Sequence, residues 1–181
     1  MKLLKNIFQE KENLLSIFFT AGYPNLNDTA QIISELSKNQ VDFIEVGLPY
    51  SDPLADGPTI QESSQVALQN GMNLDIVFAQ LKAIKDTNLT PLVLMGYLNQ
   101  LLKFGEDKFC QACVDCGIET LILPDLPMIE YKNHYQQLFK KYGLTTVFLI
   151  TLLTNFVLTI GFIILPNLAI SGAQLSILPA K

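Results

Sequence analysis

The chain has 181 residues, 49% of them hydrophobic and 16% charged, with a formal net charge of -5. That length suits one domain with a sizeable core, and the acidic balance leaves no basic footprint for nucleic acid. All twelve cations are lysines, so no guanidinium clamp exists, and a bound phosphate must rest on backbone N–H groups, helix N-termini or a lysine.

Residues 1–8, followed by Gln-Glu-Lys-Glu-Asn, break their apolar run too early for a signal peptide and read as a short amphipathic helix. A cytoplasmic protein is expected. Short apolar runs then mark strands at residues 14–20, 41–47, 91–97, 120–125 and 144–151, with a sixth at 161–165. Helical patterns fill the intervals at 28–38, 62–70 with 74–85, 107–116 and 129–142, and glycines follow three of them at positions 71, 117 and 143. Alternation of near-continuously apolar strands with helices predicts a parallel sheet covered by helices. Functional-looking residues gather at the C-terminal ends of strands: Thr20, Glu45, Tyr97 and Asp125. No glycine-rich fingerprint follows the first strand, so a (β/α)8 barrel, whose C-terminal rim carries the active site, is preferred to a doubly wound sheet.

Within this frame residues 45–61, EVGLPYSDPLADGPTIQ, carry the most chemistry. Glu45 ends an apolar strand, and burying a charge without a partner is costly, so it is paired, protonated or there for chemistry. Phe43, Glu45 and Gly47 alternate onto one face, and the missing side chain at Gly47 is expected to leave space beside the carboxylate. A strand-end glutamate facing solvent is the plainer alternative. Asp56, before Gly57 and Pro58, is either a second functional carboxylate or a turn residue. Asp52, before Pro53, reads as a loop-shaping residue. The two aspartates lack the odd-position ligands of a calcium loop, and no metal site is expected.

Cys110, Cys113 and Cys116 have a spacing seen in iron–sulfur ligation, but no fourth cysteine exists. The same spacing lays them along one helical stripe with Phe109 and Ala112, which predicts core packing. His134, the single histidine, lies in a polar helix and reads as a surface residue.

The 45–61 stretch resembles the signature of the tryptophan synthase alpha subunit, and its flanks agree in order and spacing: FFTAGYP at 18–24, LMGYLN at 94–99 and LPDLP at 123–127. The resemblance runs from near the N-terminus to about Thr151. It implies a TIM barrel that cleaves indole-3-glycerol phosphate to indole and glyceraldehyde 3-phosphate by a retro-aldol step, with no cofactor of its own. Glu45 and Asp56 are the implied catalytic residues. Phe18, Thr20 and Tyr97 are expected to line the indole slot, and Ser171 and Gly172 to bind substrate from a mobile loop after the sixth strand. The implied partner is a tryptophan synthase beta subunit, which holds pyridoxal phosphate, in an alpha2beta2 assembly.

A complete barrel of this kind needs roughly 250 residues and eight strands. The 181 residues are read as one partial barrel domain holding about strands 1–6, with 144–181 as a divergent apolar tail. The loops after strands seven and eight, where such barrels usually bind phosphate, are not found, and lyase turnover by this chain alone is expected to be very weak. Residues 142–180 carry no charged side chain, and 144–165 is long and apolar enough to raise a membrane span, although its threonines and Asn155 oppose one. Two other readings therefore stand beside the lyase: an inactive truncated paralogue that keeps the partner-binding loop, and a protein attached to a membrane through 144–165.

Overall fold

Side-chain alternation builds a sheet with two apolar faces. The structure is a computed structural model that describes Leu4, Ile7 and residues 9–11, 14–53 and 56–147. Five strands, β1 (Ser16–Thr20), β2 (Phe43–Gly47), β3 (Leu92–Met95), β4 (Thr120–Ile122) and β5 (Thr145–Val147), pair in parallel in the order β1-β2-β3-β4-β5. Spatial order follows chain order throughout. A doubly wound sheet reverses its order part-way and a singly wound barrel does not, so this topology is that of the (β/α)8 family.

One face carries Ile17, Phe19, Ile44, Val46, Leu94 and Leu121, which join the main core beneath the helices. The opposite face carries a second cluster of Leu14, Phe43, Val93 and Ile122, against which Leu4, Ile7, Met95 and Val147 pack. Burial on both faces explains why these strands read as continuous apolar runs. Leu4 and Ile7 are helical, in keeping with the amphipathic N-terminal segment. Asp42 ties that segment down: it accepts from the Leu15 N–H at 2.8 Å and pairs with Lys11 at 2.5 Å.

The covering helices are α1 (Thr29–Lys38), α2 (Pro58–Gln69), α3 (Leu74–Ile84), α4 (Leu98–Phe104) and α5 (Glu106–Asp115). They are followed by α6 (Met128–Glu130), a π-helical turn (Tyr131–Tyr135) and α7 (Gln136–Tyr142). α1 turns Ile32, Ile33 and Leu36 inward. Asn73 caps α3 by accepting from the Ile76 N–H at 3.1 Å, with Asp75 favourably placed in the first turn. α7 ends on Gly143, whose φ of 70° is left-handed and suits glycine.

Several boundaries differ from expectation. α4 was not anticipated, because seven residues give too short a periodic run to register. Tyr97 consequently stands at the N-cap of α4, two residues past the end of β3. The expected single helix at 129–142 contains the π-helical turn. The cysteine reading holds: Cys110, Cys113 and Cys116 are all buried, and the Cys116 thiol donates to the Phe78 carbonyl at 3.3 Å. Beyond Val147 the expected fifth-strand remainder, the sixth strand, the divergent tail, the possible span at 144–165, and Ser171 and Gly172 lie outside the described residues. Among the described residues no helix is long and apolar enough to cross a membrane.

Candidate active site

The C-terminal ends of β1, β2 and β3 open onto a cleft. Thr20, Gly47, Met95, Gly96 and Tyr97 form its base at the strand ends, with Phe18 below. The loop after β2 contributes Tyr50, Pro53 and Asp56, and α2 contributes Ile60 and Ser64. Phe18, Thr20, Asp56 and Tyr97 are thus brought together, as the sequence led one to expect.

Glu45 lies on β2 two residues before Gly47, which lines this cleft. Its strand register sets it level with Phe18 on β1 and Val93 on β3, on the face of the second apolar cluster. Only 1% of it is exposed, so the solvent-facing alternative is excluded. Ser16 donates its hydroxyl to Glu45 Oε1 at 2.5 Å, while Oε2 has no hydrogen-bond partner among the described residues. Burial raises its pKa to about 7, against the lowering effect of the Ser16 bond. Such a carboxyl exchanges protons readily near neutral pH.

The space expected beside Gly47 is filled. A Cβ at that position would lie 2.4 Å from Phe18 Cζ and 2.7 Å from its Cε2, so the glycine accommodates the phenyl ring rather than a ligand. Phe18 lines the cleft, and Glu45, its cross-strand neighbour, does not. Ser16 was not singled out from sequence, since a serine at a strand start carries no signal of its own. Only its two-residue spacing from Phe18 and Thr20 places it on the functional face.

Asp56 is held by Tyr97, whose hydroxyl donates to Asp56 Oδ2 at 2.9 Å. Partial burial raises the pKa of Asp56, and the Tyr97 bond offsets part of that rise. The Tyr97 ring stacks on Tyr50 with centroids 4.9 Å apart. Gln61 secures the loop from α2 by donating to the Asp56 carbonyl at 2.9 Å. Asp56 therefore does more than shape a turn. Asp52 accepts from the Ser51 hydroxyl at 2.6 Å, as suits a loop-shaping residue.

Thr20 is committed to the scaffold. Ser63 gives its proton to the Ile60 carbonyl at 2.9 Å, so Thr20 is the donor in the 2.7 Å contact between the two hydroxyls. The pair joins β1 to α2. Asp125 accepts from the Leu98 N–H through both oxygens, at 2.8 and 3.1 Å, and so fixes the start of α4. Gln100 completes that corner by accepting from the Tyr97 N–H and donating to the Pro49 carbonyl, both at 2.9 Å. His134 is exposed, 2.8 Å from a Glu106 oxygen and away from the cleft lining.

Comparison with known proteins agrees with this geometry. The family model for the tryptophan synthase alpha chain matches residues 4–157. The tryptophan synthase alpha chain of Flavobacterium psychrophilum is 56% identical over 151 residues, covering 83% of this chain and 60% of that protein. The alpha chain of Flavobacterium johnsoniae is 55% identical over the same length and shares. Among solved structures, the tryptophan synthase subunit alpha of Legionella pneumophila superposes with a TM-score of 0.74 at 35% identity, over 80% of this chain and 55% of that one. A tryptophan synthase structure from M. tuberculosis gives 0.73 at 29% identity, over 81% and 58%. The chain spans about 60% of the length of the curated relatives it matches. A singly wound sheet, a buried glutamate below a rim cleft and a match across residues 4–157 lead to one conclusion: the chain belongs to the tryptophan synthase alpha chain family.

Proposed function

We propose that this chain supplies the acid–base half of a lyase that cleaves indole-3-glycerol phosphate to indole and glyceraldehyde 3-phosphate. The observation that carries the reading is Glu45: a carboxyl buried to 1% exposure with a pKa near 7, beside a cleft containing a second carboxylate. In the retro-aldol step the bond between indole C3 and the glycerol chain breaks, and its electron pair returns to the indole ring. Protonated Glu45 delivers a proton to C3. The resulting carboxylate then takes the proton of the hydroxyl on the adjacent carbon, which becomes the aldehyde. One group serves both transfers when its pKa lies near the working pH. Positive charge on the indole nitrogen is met by Asp56, oriented by Tyr97. Phe18, Thr20 and Tyr97 form the walls of the slot, and Ser171 and Gly172 are read from the sequence as further substrate-binding residues.

By the same reading the protein is cytoplasmic and works with a tryptophan synthase beta subunit, which carries the pyridoxal phosphate and consumes the indole, in an alpha2beta2 assembly. The 181 residues form one partial barrel domain. The assay is indole release from indole-3-glycerol phosphate, with and without a beta subunit. In a chain joined to the remaining segment of a full-length relative, Glu45→Gln should lower the rate by about 10²–10⁴-fold, the range for a positioned proton-transfer group, while in the 181 residues alone it should change little. An unchanged rate in the joined chain would remove Glu45 from the mechanism.

A further inference from the structure

We infer that Ser16 is a positioning residue for Glu45: it holds the carboxyl through Oε1 and leaves Oε2 as the oxygen that carries the transferable proton. The inference rests on the lyase reading for its catalytic meaning, but its geometry stands independently. Ser16 pairs with Phe43 in the parallel register, one pleat before Glu45, so its hydroxyl reaches the carboxyl diagonally across two strands. A serine hydroxyl has one proton to give, and here it goes to Oε1. Oε1 is thereby kept as an acceptor, and a proton bound to the carboxyl sits on Oε2, which is buried and without a partner among the described residues.

Among the described residues no other group on this face competes for this role. The strand residues of β1 to β4 sharing the face of Glu45 are Ser16, Phe18 and Thr20 on β1, Phe43 and Gly47 on β2, Val93 and Met95 on β3, and Thr120 and Ile122 on β4, none of them charged. The segment packed against the cluster contributes Lys11, whose ammonium is paired with Asp42. Burial and the Ser16 bond are the two influences acting on the carboxyl, in that order. The bond favours the charged form, so Ser16 draws the glutamate back toward neutrality from the higher value that burial alone would impose.

The test compares Ser16→Val with Ser16→Thr, which share a β-branched shape suited to a strand and differ in the hydroxyl. The carboxyl of Glu45 is titrated directly by ¹³C NMR in the full chain, with Glu45→Gln used to assign its signal. Ser16→Thr should titrate as the unsubstituted protein does. Ser16→Val should titrate about one pH unit higher, as expected for loss of a hydrogen bond to a charged group. In the indole-release assay the pH limb due to Glu45 should move by the same amount with KM unchanged, since Ser16 does not line the cleft. Equal titration of the two variants would overturn the inference. Absence of Glu45-dependent indole release in a chain joined to the remaining segment of a full-length relative would instead overturn the lyase reading, while the titration still decides the role of Ser16.

Discussion

Phe18 and Gly47 occupy a single site between neighbouring strands, the phenyl ring lying where a side chain at residue 47 would begin. Gly47→Ala places a methyl 2.4 Å from Phe18 Cζ and 3.2 Å from the Phe19 carbonyl oxygen, and the ring is buried. Overpacking of this kind should destabilise by about 1–3 kcal/mol, read from the urea midpoint. Combining it with Phe18→Leu should recover part of that loss, because the two positions share a contact. Additive effects would show that the ring and the glycine do not constrain one another.

Glu45 makes stability fall as pH rises. Its folded pKa, about 7, lies above the ordinary 4.5, so the native state holds the proton more tightly than the unfolded chain. The stabilising contribution is complete below about pH 4.5 and is lost on passing from there to about 7. The shift corresponds to about 3 kcal/mol. Glu45→Gln, neutral at every pH, should abolish this falling limb and be the more stable form at pH 8. Unfolding curves collected between pH 4.5 and 8 check this, and parallel pH profiles for the two proteins would contradict it.

Tyr97→Phe removes the donor to Asp56 and keeps the ring stacked on Tyr50. The pKa of Asp56, already raised by partial burial, should rise further. Under the proposed mechanism kcat/KM should fall about tenfold, the effect of one lost hydrogen bond of roughly 1–1.5 kcal/mol. A larger fall confined to KM would assign Tyr97 to substrate contact instead.

Asp125→Ala leaves the Leu98 N–H at the start of α4 without its acceptor. Loss of such a cap should cost about 0.5–2 kcal/mol. Hydrogen exchange should show the change concentrated in α4 and the neighbouring cleft wall at Tyr97. Uniform loss of protection across the sheet would contradict this local role.

Turnover by the 181-residue chain alone should be very weak. Positioning of substrate can supply more rate than proton transfer does, and under the proposed function a phosphate anchor does that positioning. Joining residues 1–147 to the remaining segment of the Flavobacterium psychrophilum relative should restore indole release, and Glu45→Gln should abolish it again. Full activity in the unjoined chain would show that its phosphate contacts are already complete.

The sequence was most informative where one strand's own alternation carried the message. Phe43, Glu45 and Gly47 were legible as one face because period two is local, and the 45–61 loop because its turn residues stand together. What escaped were relationships between segments. Ser16 meets Glu45 across 29 residues and Tyr97 meets Asp56 across 41, and neither separation leaves a trace in spacing. Gly47 was recognised as a gap, but which group fills it depends on the register of β1 against β2. Asp125, grouped by sequence with the functional-looking strand-end residues, is bound to a helix too short to recognise from its pattern. The expected strand at 144–151 is described over Thr145–Val147 alone.

The three cysteines on the inner side of α5 and at its end give the molecule a built-in clock. Burial pushes the Cys110 thiol up to about 12 and Cys116 to about 11, with Cys113 also raised well above its ordinary value. A thiol reagent attacks the thiolate and must reach the sulfur, so none of the three should react at an appreciable rate while α5 lies on the sheet. Each alkylation event then records a moment when that helix has lifted or the chain has opened. Counting labelled sulfurs over time by mass spectrometry would give the rate of that opening, without introducing any probe foreign to the sequence.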